Sequence, residues 1–109
     1  MAAAMQERLF AALPADLQAG AVDLSEEGAA EYAFPIENSL RVLEILGAQG
    51  FEVVGGDLWA AVADGFSSSH EGWFVESSEG NAILALRKFL STGPRGDGYY
   101  MTFVARQPG

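Results

Sequence analysis

Apolar residues recur at Met5, Leu9, Ala12 and Leu13, with Gln6, Glu7 and Arg8 on the other faces. This spacing predicts an amphipathic helix over residues 2–13, ended by Pro14, which has no amide to donate. A short turn follows at 15–19 and stops at Gly20. The segment 21–32 has no clean period and reads as loop with at most one short strand. From Pro35 the pattern turns helical again. Proline suits a first helical position, Ile36, Leu40, Leu43 and Gly47 share one stripe, and Val42, Ile45 and Leu46 widen it. Glu37 and Arg41 stand four apart in the favourable order, and Gly50 is a C-terminal stop.

Short apolar runs come next. Residues 51–54 and 58–62 read as two strands separated by Gly55-Gly56, a pair that permits a bend or bulge. Asp57 follows directly, and a short carboxylate can accept backbone amides in such a bend. Asp64-Gly65 is a turn signal. The polar stretch Phe66–Gly72 reads as a flexible loop, and Trp73-Phe74-Val75 as a third strand. A helix over 79–91 buries Ile83, Leu86 and Leu90, with Ser78 as its cap and Glu79 at the positive end of its dipole. Gly93-Pro94 ends it, and Tyr99–Ala105 is the longest strand pattern. Hairpin-spaced strands favour an α+β fold: a small, mainly antiparallel sheet of three to four strands packed against two or three helices.

The chain has 109 residues, half of them apolar, which bounds it to one domain, 1–109. Residues 1–30 form a helical extension and 31–105 the core. No apolar run approaches the length of a membrane span. Gln6, Glu7 and Arg8 break the run that a secretory leader would need, so cytoplasmic residence is expected. With no cysteine there is neither a disulfide framework nor a cysteine-type zinc site.

Charge narrows the partners. The net charge is −9, and between Phe10 and Leu86 Arg41 is the only arginine or lysine among the acids that run from Asp16 to Glu79. A field this negative repels phosphate and disfavours nucleic acid. It attracts a basic protein and speeds encounter with it.

Catalytic chemistry is weakly represented. His70 is the single histidine, and its serine neighbours Ser67, Ser68 and Ser69 are too close in sequence for triad geometry. Glu26-Glu27 is a carboxylate pair by adjacency alone. Asp23–Gly28 begins like a calcium-binding loop, but Phe34 stands where the bidentate glutamate is required. The glycines match no nucleotide-binding spacing. No enzyme activity, metal or cofactor is expected.

The order of features nevertheless has a likeness. Ala33-Phe34-Pro35 opens an apolar helix. Gly50-Phe-Glu-Val-Val-Gly-Gly-Asp-Leu-Trp59 follows, then Gly72-Trp-Phe74, a serine-capped helix and a closing Tyr99-Tyr100 strand. Over about residues 31–105 this resembles the immunity protein 40 family of bacterial toxin-immunity proteins. Gly55-Gly56-Asp57 and Trp73-Phe74 are its most specific pieces; Trp59 stands where a tyrosine is expected, and residues 1–30 are an extension. The resemblance implies a monomeric protein that binds a cognate toxin domain and blocks it by stoichiometric occlusion. Asp57, Trp59, Glu71, Trp73 and Glu76 are the expected contributors to that surface. A strand tryptophan is more often core; one exposed among carboxylates would be an interface anchor. The competing reading is a non-catalytic adaptor docking in a larger assembly through its apolar helices.

Overall fold

A computed structural model describes residues 2–29, 31–75, 81–92 and 98–106. Among these it is an α+β structure with six strands, all paired antiparallel: β1 Val22–Asp23, β2 Tyr32–Pro35, β3 Glu52–Val62, β4 Gly65–Phe74, β5 Tyr99–Thr102 and β6 Val104–Arg106. The sheet order is β1-β2-β5-β3-β4, and β6 joins β3 beside β5. The expected small sheet of three to four strands is therefore corrected to a larger, curled one.

Three local misreadings account for the difference. Segment 21–32, read mostly as loop, supplies β1 and the start of β2. Pro35, expected to open a helix, is the last residue of β2 and lies opposite Tyr100. Proline is tolerated there because β1 reaches only Tyr32 and Ala33, which leaves Pro35 on an edge. The polar run 66–72, expected to be loop, is most of β4, in register with β3 through the turn at Ala63-Asp64. Residues 51–54 and 58–62 are one continuous strand, with the glycine pair inside it.

The helices are α1 Ala2–Ala11, α2 Ala15–Gly20, α3 Ser39–Ala48 and α4 Ala82–Thr92. A 3-10 turn, Ile36–Asn38, leads into α3. Gly50 ends that helix as expected. It takes φ +92°, its amide donates to the Gly47 carbonyl, and the Phe51 amide donates to that of Leu46, which is a Schellman motif. Ser78 and Glu79 lie outside the described residues; Asn81 caps α4 by accepting the Leu84 amide at 3.2 Å. Arg41 pairs with Asp16 of α2, not with Glu37, which sits in the 3-10 turn.

All four helices pack on one face of the sheet. Leu9, Leu13 and Leu17 from the N-terminal helices join Val42, Leu43 and Leu46 of α3, Leu86 of α4, and Phe34, Leu58, Met101, Phe103 and Trp73 of the sheet in one core. Gln6 is a buried polar residue within this layer. Its amide nitrogen donates to the Phe103 carbonyl at 2.8 Å, and its oxygen accepts the Tyr32 amide at 3.1 Å. It thereby satisfies backbone groups of two strands where β5 gives way to β6.

The other face is concave. β1 and β4 are opposite edges of the sheet, yet Glu27, just after β1, accepts the Phe66 amide of β4 at 3.4 Å. The sheet curls into a half-barrel, and the 3-10 turn Leu24–Glu27 closes one end of the hollow with the buried Leu24.

Gly56 sets the middle of the sheet. A Cβ there would overlap the Thr102 carbonyl oxygen and meet the Trp73 indole nitrogen. Trp73 and Phe103 close over it edge to face, 6.2 Å between centroids at 78°. Gly56→Ala should therefore cost about 2–3 kcal/mol through forced displacement of packed backbone, read as a lower urea midpoint. Gln6→Ala leaves two strand groups unpaired and should cost about 1–3 kcal/mol; a loss within error would show that water replaces the side chain without penalty.

Candidate functional site

Alternation along β3 decides which side chains leave the core. Leu58 points to the helices, so Asp57 and Trp59 point into the concave face. Their neighbours across β5 are Thr102 and Tyr100, and across β4 Gly72 and Ser68. Ala33 lies opposite Thr102 on β2, which places Glu31 on the same face. Trp73 has the other parity and points to the core, only 5% exposed. Phe74, next to it, points outward at 70% exposure, and Val104, next to buried Phe103, is 41% exposed.

The structure therefore brings Asp57 and Trp59 together and puts Trp73 behind them. Glu71 lies in an irregularity of β4. Between Asp57 and Trp59, β3 advances two residues while β4 runs from Gly72 to Ser68, so residues 69–71 face Leu58 alone. Glu71 is exposed at this bulge. Glu76 and the side chains of Ser69 and His70 lie outside the described residues. Glu31, Phe74 and Val104 were not anticipated. Phe74 was separable from Trp73 only once the strand's inward parity was known, and Glu31 sat in a segment without period.

Two features define this face. The first is an open groove of about 450 Å³ lined by Val54, Gly55, Gly56, Asp57, Gly72, Trp73, Phe74 and Val104. Three glycines leave its floor bare. Asp57 Oδ1 lies 2.9 Å from where a Gly72 Cβ would stand, so Gly72 makes room for that carboxylate. The Asp57 amide donates to the Thr102 hydroxyl at 3.0 Å, which anchors its backbone. The second feature is Glu31. Its pKa is raised, first by burial and then by the negative charge of Asp57, with a Thr102 hydrogen bond acting the other way. Two carboxylates thus face the same hollow. Arg41 and Arg106 are engaged elsewhere, with Asp16 and Glu52, and no cation pairs with Asp57 among the described residues.

Among the described residues no group of three or more histidines, aspartates or glutamates is placed to hold a metal, and no described helix is long and apolar enough to cross a membrane. A second groove, about 410 Å³, runs between α3 and the start of α4, lined by Leu43, Phe51 and Ile83 among others.

An α+β chain with helices on one side of a curled antiparallel sheet and an acidic, partly bare face on the other is the class defined so far. The chain belongs to the immunity protein 40 family, whose model matches residues 23–88. The match runs from β1 into α4; α1, α2, β5 and β6 lie outside it. No match was found among curated proteins or among solved structures.

The raised pKa of Glu31 gives a signed prediction. Its folded-state value lies above the unfolded one, so ionising it works against the fold. The penalty is present at neutral pH, shrinks as pH falls through the folded pKa and vanishes below the unfolded one. Glu31→Gln should raise the melting temperature near pH 7, and the gain should shrink toward pH 3. An equal gain at both pH values would show that ionisation is not the cause.

Proposed function

We propose that this protein neutralises a cognate bacterial toxin domain by binding it stoichiometrically through the concave face of the sheet. The observation that carries the reading is the coincidence, in a chain of an immunity-protein family, of the Asp57 carboxylate, with no paired cation among the described residues, and the exposed apolar side chains of Phe74 and Val104 in one groove. Asp57 lines the groove with Phe74 and Val104, Trp59 shares the face of Asp57, Glu71 is exposed at the bulge of β4, and Trp73 backs the strands from the core. Such an arrangement resembles an interface with an apolar centre and a charged rim. The net charge of −9 suits a basic toxin and steers it toward this face. The protein acts in the cytoplasm, as a monomer, without a cofactor or a reaction of its own. Glu76, outside the described residues, is included among the contributors on its charge alone.

The alternative is an adaptor that docks through its helices. Leu84, 60% exposed on α4, and the groove between α3 and α4 favour it. That reading requires self-association or a stable larger assembly.

The deciding experiment expresses the C-terminal domain of the product encoded immediately upstream, with and without this protein, and follows growth. Restored growth is the expected result; a harmless domain, or killing that persists, overturns the immunity reading in favour of the adaptor. In the purified pair, Glu71→Lys should slow association several-fold at low salt and change dissociation little, because rim charge acts on encounter. An unchanged association rate across a salt series would remove Glu71 from the surface.

A further inference from the structure

The groove at the glycine floor has a chemistry narrower than "acidic surface". Its walls are the exposed ring of Phe74 and the side chain of Val104, which flank Gly55 from β4 and β6. Its floor is the backbone of Gly55, Gly56 and Gly72, where side chains would collide with neighbouring strands. At one end stands the carboxylate of Asp57, laid across Gly72, with Glu31 on the same face beyond Thr102. Trp73, 5% exposed, also lines the groove; its indole nitrogen lies against Gly56 and has no hydrogen-bond partner among the described residues. A buried donor left unpaired costs stability. That nitrogen lies on the helix side of Gly56, so the groove's occupant is selected by the Asp57 end and the apolar walls.

We infer that this groove seats an arginine of the toxin, its aliphatic stem on the glycine floor between Phe74 and Val104 and its guanidinium on the Asp57 carboxylate. The inference rests on the immunity reading for the identity of the partner. The groove's chemistry selects the side chain. Bare backbone flanked by apolar walls accepts a long methylene stem. A planar guanidinium stacks on an aromatic wall and offers a fork of donors to carboxylates, which a compact ammonium does not. A cation there also relieves the repulsion between Asp57 and Glu31, so binding removes a cost that the free protein carries. A lysine, an apolar side chain or a second copy of this chain are the competing occupants.

The test uses small probes and needs no toxin. The full chain, labelled with nitrogen-15, is titrated with N-acetyl-arginine amide, and the lysine and norleucine analogues serve as comparisons. The expected result is a saturable shift in the millimolar range, confined to the amides of Gly55, Gly56 and Gly72 on the groove floor, and lost in Asp57→Asn. No shift at these groups, an equal response to lysine or norleucine, or shifts that depend on protein concentration alone each overturn the assignment. In the toxin complex, Asp57→Asn and Phe74→Ala should each weaken affinity about tenfold or more, a difference of ~1.4 kcal/mol or above. Glu37→Gln, on the 3-10 turn before α3, should leave it unchanged. Rescue of growth without any response to the arginine probe sinks the groove assignment and leaves the immunity reading standing. A response to the probe without rescue does the reverse.

Discussion

Strand β3 has to pair with β4 along one edge and with both β5 and β6 along the other, and the structure depends on how closely those neighbours approach at Gly55 and Gly56. A Cβ on Gly55 would strike the Trp73 carbonyl, and one on Gly56 the Thr102 carbonyl. Without those atoms the strands close up, and the space above Gly56 on the helix side is filled from both flanks by Trp73 and Phe103. Covering a strand glycine with cross-strand aromatics is a known device for holding such a site. The same absence of side chains has the opposite effect on the concave face, where nothing covers the backbone. The residues that close the core are thus the residues that open the groove.

Electrostatics on that face follow a similar logic. Arg41 and Arg106 are engaged with Asp16 and Glu52, away from the hollow. Exposed pairs of this kind contribute little to stability, but they engage these two cations away from the concave side. Glu31 is left half-buried beside Asp57, with a raised pKa. A local conflict of this type, a carboxylate held where ionisation is penalised, is expected at sites that serve binding better than folding.

The helices were legible because their signals are local. A stripe at period 3.6 and Gly50 in the left-handed region were enough to end α3 within a residue or two. The sheet was less legible because its strands are defined by partners. β4 carries three serines, a histidine and a glutamate through its middle, and nothing in that run competes with a loop until β3 is beside it. β1 has two residues and no pattern of its own. Pro35 looked helical because the rule for a first helical position is blind to a strand ending at an edge. For the site, parity was the readable part: Asp57 and Trp59 lie two apart on a strand and share a face. Trp73 and Phe74 are adjacent, so only one can face inward, and which one does depends on the bulge at 69–71, invisible until both strands are paired.

The family match spans residues 23–88, yet the core of this chain cannot be closed by that segment. Met101 and Phe103, from beyond its end, sit between Leu58, Phe34 and Trp73 in the cluster, and Leu9, Leu13 and Leu17, from before its start, cover the same layer. Gln6 makes the dependence specific, because one side chain of α1 holds the Phe103 carbonyl and the Tyr32 amide together. The N-terminal helices are therefore on the far side of the sheet from the groove, bound into its support. An element that buries three leucines and two strand hydrogen bonds has little surface left to offer a partner near Asp57. The extension acts on the concave face through β2 and the residue it pins at the end of β5, by fixing the curvature on which Asp57, Phe74 and Val104 are displayed.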